Sequence, residues 1–443
     1  MHIDEFSDDD LFVDLWGMHN VGQAGGTPDA DIDAPEAWEA YGTAADDVIV
    51  AVIDTGIDYL HEDLAGNMWI NPGEVGEGTF EGVDDDANGY VDDVYGWDFF
   101  NDDNDPFDDR GHGTHVAGTI CADGDNGVGV AGVAWSCRLM ALKFISAGNT
   151  GTIDGAIAAI LYAAEKGARI ANNSWGSDDL RSRALESAIN VYDGLFVASA
   201  GNWRTSKAHY PAAFRADHIL SVAATDHDDA LASFSNFSNK WVDLGAPGVD
   251  ILSSLPDDQY GLYSGTSMAA PHVSGVAALV QAHNPDFGPL DVKASIMDGV
   301  DGLPSLEGLT LTGGRLNAYS ALAQGGEPPE PPDVTPPAAV DDLVAIASSD
   351  AHDTVFLTWT ATADDADVCG SGPVFAYDIR YSTSADLVVN WDDAMQVASE
   401  PAPEVACVME SMTVTGLAGG TPYEFGIKLI DEAANESGLS NLA

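Results

Sequence analysis

The stretch Gly265-Thr-Ser-Met-Ala-Ala-Pro-His-Val-Ser-Gly275 decides how the rest of the chain is read. Its small residues run directly into an apolar helical pattern, with Val273, Val276, Ala277, Leu279 and Val280 recurring at helix-face spacing. A serine placed where a Gly-rich turn enters a helix sits where backbone N–H groups point outward and stabilise negative charge. Ser267 therefore has the placement of a nucleophile whose attack creates an oxyanion. Gly-Thr-Ser also makes an ordinary helix N-cap, so the stretch alone leaves both readings open.

Around this stretch, strand and helix signals alternate. Val48-Ile-Val-Ala-Val-Ile53 is a continuous apolar run of the kind found in buried parallel strands. Further strands are expected at 139–144, 170–172, 195–199 and 219–224, and helices at 112–122, 153–166, 180–192 and 267–282. The alternation predicts an α/β domain with a doubly wound, mostly parallel sheet, whose site lies at the carboxyl ends of the strands. Residues 325–337 are Pro-rich without periodicity and read as a semi-rigid linker. Beyond them, short alternating segments at 355–359, 377–381, 411–414 and 423–430 predict an all-β sandwich. The expected division is 1–323, a linker at 324–337, and 338–443.

The chain has 443 residues, 73 acids and 15 bases, for a net charge of −58. Acidity is spread throughout, with −39 ahead of Gln324 and −16 after Asp333. Such a field repels nucleic acid and anionic lipid, which excludes both as expected partners. It fits a salt-exposed protein that carries some calcium. No run of 18 apolar residues exists, so no membrane span is expected. Residues 1–10 lack a signal-peptide pattern, so the protein stays inside or the sequence begins after its targeting segment. Four cysteines fall as two local pairs, Cys121/Cys137 and Cys369/Cys407. Two disulfides in an oxidising compartment are expected, with four reduced core thiols as the alternative. No C-x₂-C spacing supports zinc.

A nucleophilic serine needs a base, and the base needs an orienting acid. Asp54 ends the apolar run, in Asp54-Thr-Gly-Ile-Asp58, and His112 lies between glycines in Gly111-His-Gly-Thr-His-Val-Ala-Gly118. Singly, the Asp reads as a turn residue and the His as structural. Together the three motifs occur in the order Asp, His, Ser, which is the order in subtilisin. From residue 16 to residue 323 the chain resembles the subtilisin-like serine proteases. The resemblance implies Asp54 as orienting acid, His112 as general base and acid, and Ser267 as nucleophile. Asn202, in Ser-Ala-Gly-Asn202, matches the family's oxyanion-hole asparagine.

The same resemblance implies a substrate groove. Ser174, Trp175 and Gly176 would form one wall and Asn149, Thr150 and Gly151 the other, with substrate backbone added as a strand between them. His209, in His209-Tyr-Pro, matches the base of the primary specificity pocket, although a surface-loop histidine is an equal reading. His115 and His272 read as packing residues.

Calcium is the expected cofactor. Asp84, Asp86, Asn88, Tyr90 and Asp92 space oxygens as in the first part of an EF-hand loop, but position 12 is Tyr95 where a bidentate Glu would stand. Twelve acids and no base occur from Glu81 to Asp109, a run that repels itself without a cation. Asp103, Asp105 and Asp108 resemble a second loop site of relatives. Asp63 with Asn126 and the carbonyls of Val128 and Val130 resembles the family's strong site. That loop is one residue longer than the family pattern, which leaves Asp125 or Asn126 open as ligand.

The C-terminal sandwich resembles a fibronectin type III domain. Trp359 matches its core tryptophan, Tyr377-Asp-Ile-Arg-Tyr381 its central strand, and Gly416-Leu417 with Thr421-Pro-Tyr423 its tyrosine corner. The implied whole is a secreted, calcium-stabilised, monomeric serine endopeptidase of broad specificity, acting through an acyl-enzyme on protein and peptide substrates. Such enzymes are made with a propeptide, and none is visible ahead of Asp4. The competing reading is a non-catalytic, calcium-dependent binding or adhesion protein on a retired protease fold, against which the intact triad argues.

Overall fold

The computed structural model describes residues 7–76, 79–178, 180–326, 328, 335–362, 374–383, 387, 391–431 and 435–443. The chain forms two compact units, Met1–Pro329 and Glu330–Ala443. Most of the Pro-rich stretch expected as a linker lies outside the described residues, as does Cys369, the expected partner of Cys407.

In the first unit the elements run α1 (Ala34–Tyr41), β1 (Ala44–Asp54), β2 (Gly96–Asp98), α2 (His112–Cys121), β3 (Ser136–Lys143), α3 (Ile153–Glu165), β4 (Ile170–Asn173), α4 (Arg183–Val191) and β5 (Leu195–Ser199). They continue with β6 (Ile219–Thr225), β7 (Leu244–Pro247), the hairpin β8 (Ile251–Leu255) and β9 (Gln259–Tyr263), α5 (Thr266–His283), α6 (Pro289–Asp298), β10 (Asp301–Gly302), β11 (Gly314–Arg315) and α7 (Ala318–Gly325). One nine-stranded sheet has the order β10-β11-β7-β6-β5-β4-β1-β3-β2. All its pairings are parallel except that of β10 with β11.

Strand β1 explains why its sequence reads as an unbroken apolar run. Val50 and Val52 pack into the core beside α2 and α5, while Ala51 and Ile53 pack into the core beside α3 and α4. Both faces are covered, so no polar alternation survives. Strand order reverses at β1, with β3 on one side and β4 on the other. A doubly wound sheet opens a crevice at the carboxyl end of such a strand.

Helix α4 begins at Arg183, later than the apolar pattern implied. Ser182 caps it by accepting the Leu185 N–H at 3.4 Å, which leaves Leu180 in the preceding loop. The short elements β2, β7 and the β8–β9 hairpin gave no signal in the sequence. Strand β9 is half-exposed along its length, so burial writes no pattern into it.

Among its described residues the second unit has six short strands: β12 (Val344–Ala347), β13 (Val355–Thr360), β14 (Ala376–Ser382), β15 (Met395–Gln396), β16 (Met409–Val414) and β17 (Glu424–Ile430). They form two antiparallel three-stranded sheets, β12-β13-β16 and β15-β14-β17. Leu357, Trp359, Tyr377, Ile379, Phe425 and Ile427 fill one shared core, giving an all-β, sandwich-like unit. Trp359 meets Tyr377 edge to face with ring centroids 5.3 Å apart. The Tyr423 hydroxyl accepts the Ala418 N–H at 2.9 Å, tying the strand start back to the preceding turn.

Candidate active site

Three separate pieces of chain converge at the carboxyl end of the sheet. Asp54 is the last residue of β1, His112 the first of α2, and Ser267 lies in the first turn of α5. His112 Nδ1 donates to Asp54 Oδ1 at 2.7 Å, and the same oxygen accepts the Thr55 N–H at 2.7 Å. The Nδ1 proton bound to Asp54 leaves Nε2 as the acceptor nitrogen. Burial lowers the His112 pKa, but the charge and hydrogen bond of Asp54 outweigh it and hold the ring above its usual 6.5.

Close approach of α2 to β1 depends on Gly113, where a Cβ would overlap the Gly56 carbonyl and sit 3.3 Å from the Asp54 Cβ. Asp108 then clamps the two segments. Its Oδ1 accepts Thr55 Oγ1 (2.8 Å), Arg110 N (2.9 Å) and Gly111 N (2.8 Å), and its Oδ2 accepts Thr114 N (2.9 Å) and Thr114 Oγ1 (2.7 Å). Five donors on one buried carboxylate make Asp108 an anchor for the His112 turn. Lys143, buried opposite Asp54 on β3, holds the other side of this turn through Thr55 O at 2.7 Å and Ile145 O at 3.2 Å.

Ser267 shares a cleft of about 600 Å³ with His112 and Asn202. Its Oγ donates to Ser174 O at 3.0 Å. Asn202 Oδ1 accepts both the N–H and the Oγ1 of Thr266, at 2.9 and 3.0 Å. With its oxygen so engaged, the Asn202 amide presents its NH₂ as a donor on the Ser267 side.

Ser174–Gly176 and Asn149–Gly151, the two segments expected as groove walls, are both among the residues that line this cleft. The Trp175 ring faces inward against Phe144, centroids 4.8 Å apart, so this residue contributes backbone to the wall. His209 is buried, bonded through Nδ1 to Asp178 Oδ1 at 3.2 Å and packed on Trp203 at 5.0 Å, which excludes the surface-loop reading. A Cβ on Gly176 would lie 2.5 Å from its Nε2, so the ring closes the space behind that wall. Burial pushes the His209 pKa down, leaving it neutral. Ile153, Leu180, Leu185 and Trp203 also line the cleft. No motif marks these four; only the fold brings them there.

His115 stacks on Tyr263 at 4.6 Å with Nε2 against Ile251 O, and His272 Nδ1 meets Met268 O at 2.8 Å. Burial pushes both down to about 4, so both are neutral packing residues.

Among the expected calcium residues, Asp84 and Asp86 come together with Glu74, one carboxylate oxygen of each lying within 4.8 Å of the other two. Glu74 carries no recognisable spacing to them, and its Oε2 is buried without a partner. Asn88 instead bonds Asp93 at 2.8 Å, Asp92 accepts Gly82 N at 2.7 Å, and the Tyr90 ring packs on Trp97. The acidic run is not without a cation: Lys166, at the C-cap of α3, reaches Asp86 at 2.6 Å and Asp93 at 3.7 Å. Asp105 accepts the Tyr59 hydroxyl at 2.9 Å, and Asp103 accepts Asp105 N at 3.1 Å. Asp63 is buried, its oxygens taking Asn126 Nδ2 at 3.2 Å and Val130 N at 2.8 Å, so Asn126 is the loop residue that meets it. Asn126 Oδ1 in turn accepts Val128 N at 2.7 Å. Asp9, unremarked in the sequence, accepts the N–H groups of Asp125, Asn126 and Gly127 at 3.0 Å each. The Cys121–Cys137 disulfide flanks this loop.

A doubly wound sheet with Asp, His and Ser gathered at its carboxyl edge defines a class, and comparison with known proteins agrees. The subtilase family model matches residues 45–317, and the chain belongs to that family. It is 37% identical over 276 residues to a thermophilic serine proteinase of Bacillus sp. (strain AK1), covering 62% of this chain and 61% of that protein. It is 34% identical over 295 residues to thermitase of Thermoactinomyces vulgaris, covering 66% of this chain and 93% of the relative. A cell wall-associated protease of Bacillus subtilis (strain 168) is 32% identical over 321 residues, of which the match spans 33% of the relative.

Proposed function

We propose that this chain is a serine endopeptidase that cleaves peptide bonds through an acyl-enzyme. The 2.7 Å Asp54–His112 bond, at the rim of the cleft that holds Ser267 and Asn202, carries the reading. Ser267 Oγ swings from Ser174 O to His112, which takes its proton as Oγ attacks the peptide carbonyl. Asp54 fixes the ring tautomer and stabilises the imidazolium. The oxyanion settles between the Asn202 NH₂ and the Ser267 N–H. His112 then protonates the leaving amine, and water repeats the sequence to release the acid. Substrate backbone lies as a strand between 149–151 and 174–176, so recognition is broad. Neutral His209 and Trp203 shape the primary pocket.

Calcium fits this chain as a structural ion. Glu74, Asp84 and Asp86 offer hard oxygen ligands to a dication, and the orphaned Glu74 Oε2 gains a partner by it. Asp63, Asn126, Val128 and Val130 are the second candidate set. The bound ion supplies charge neutralisation and loop rigidity, outside the catalytic steps. The disulfide and the acidic surface support action outside the cell, in salt. The Tyr423 corner and the Trp359 core support a fibronectin type III assignment for the second unit, which spaces or anchors the enzyme.

Casein hydrolysis in calcium and salt, and its block by phenylmethylsulfonyl fluoride, tests the proposal. Calcium-dependent binding of protein without turnover would instead support the adhesion reading.

A further inference from the structure

A second cavity of about 510 Å³ lies outside the cleft already described. Arg181, Arg215, Lys240 and Lys293 line it, four of the chain's fifteen cationic residues. Concentrating them at one cavity, in a molecule of net charge −58, makes this place electrostatically unlike the rest of the surface. Glu186, Asp217 and Asp243 also line it. Lys293 is committed to Asp243 at 3.4 Å and to the Ile219 carbonyl. Arg181, Arg215 and Lys240 are exposed, and among the described residues none of the three has a carboxylate within salt-bridge distance. Three cations without an ion-pair partner among the described residues, in so acidic a chain, are available to an incoming anion.

The cavity adjoins the substrate cleft. Ser177 and Tyr210 form an antiparallel bridge, with N–H to carbonyl bonds of 2.9 and 3.1 Å. Ser177 lines the cleft and Tyr210 lines the basic cavity. Leu180 and Leu185 face the cleft while their chain neighbours Arg181 and Glu186 face the cavity. The two spaces thus share a wall. Tyr210, Phe214 and Trp241 give the cavity apolar surface as well.

We infer that this cavity is an exosite for a carboxylate-rich peptide segment of a protein substrate held in the neighbouring cleft. Guanidinium and ammonium groups recognise carboxylates, and aromatic rings accept the intervening side-chain stems and backbone. A space of this size holds two or three side chains, about the lower half of the ligand-pocket range. Its cations attract acidic segments that the rest of the molecule repels. The inference rests on the peptidase reading of the adjoining cleft.

Full-length chain carrying Ser267→Ala, which cannot consume its ligand, is titrated with labelled hexaglutamate and hexaglutamine at matched ionic strength. Hexaglutamate is expected to bind about tenfold or more tightly than hexaglutamine, and R181Q/R215Q/K240Q to erase that difference. These three side chains are exposed, and an unchanged melt shows that the variant folds. In the active chain, the triple variant is expected to lose about tenfold in kcat/KM on a peptide with an acidic extension and nothing on a neutral one. Equal binding of the two peptides, or no effect of the triple substitution, overturns the exosite. So does displacement of hexaglutamate by sulfate at matched ionic strength, which makes the cavity a site for small free anions. Absence of cleavage by the wild-type chain removes the peptidase reading alone, because the binding measurement needs no turnover.

Discussion

Ser267 and Ser174 hold each other in a reciprocal pair: Ser267 Oγ donates to Ser174 O at 3.0 Å, and Ser174 Oγ donates to Ser267 O at 2.8 Å. The second bond has a cause in the sequence. Pro271 stands four residues after Ser267 in α5 and has no N–H, so the Ser267 carbonyl lacks its helical donor. Ser174 supplies one from the groove wall, and thereby fixes the start of the helix against the substrate segment.

Ser174→Ala is therefore expected to leave a half-buried carbonyl without its donor and lower stability by about 1 kcal/mol. Adding Pro271→Ala restores an N–H to that carbonyl and should recover part of the melting temperature. Thermal melts of the two single variants and the double variant decide it. Strictly additive losses would show that the two positions are uncoupled.

The raised His112 pKa sets opposite pH trends for activity and stability. Catalysis requires the neutral ring, so kcat/KM should fall as pH drops through a value above 6.5. A raised folded-state pKa contributes stability that is full below the unfolded value and is lost as pH rises through the folded one. Asp54→Asn removes the main group that raises it. The acid limb of the residual activity should then move to lower pH, as a pH–rate profile would show.

Asp108→Ala is expected to leave Thr55, Gly111 and Thr114 donors unsatisfied in the core. A loss of about 3 kcal/mol or more follows, measurable by urea unfolding. Activity should fall with it, because the Thr55 and Gly111 turns that present Asp54 and His112 share this one anchor. Stability equal to wild type would place the clamp elsewhere.

Removing divalent ions should lower the melting temperature, since an ion bound only to the folded state stabilises by about 2.7 kcal/mol at a hundredfold excess over its Kd. Glu74→Gln and Asp84→Asn should each reduce the calcium-dependent increment in differential scanning calorimetry. An increment unchanged in both variants would move the ion to the Asp63 loop.

Much of this architecture is written locally in the chain. Asp54, His112 and Ser267 are each followed directly by small residues or flanked by them (Thr55-Gly56, Gly111 and Gly113, Gly265-Thr266), which lets the backbones approach, as Gly113 shows. Asn202 follows a buried strand, and its reading came from the likeness of Ser-Ala-Gly-Asn202 to the family motif. What escaped the sequence depends on distance along the chain. Lys166 neutralises Asp86 from 80 positions away, and Glu74 reaches the acidic loop without any spacing rule. Asp108 looked like one more loop acid until its five donors were in place. The four basic residues of the second cavity are scattered from 181 to 293, and no window of sequence reveals that they converge.

The account turns on Ser267 as the nucleophile. Reaction of the wild-type chain with a fluorophosphonate, followed by intact mass and peptide mapping, should give a single adduct on Ser267. Its formation should slow by about 10⁴-fold or more in His112→Ala. An adduct on another residue, or undiminished peptide hydrolysis by Ser267→Ala, would contradict the account.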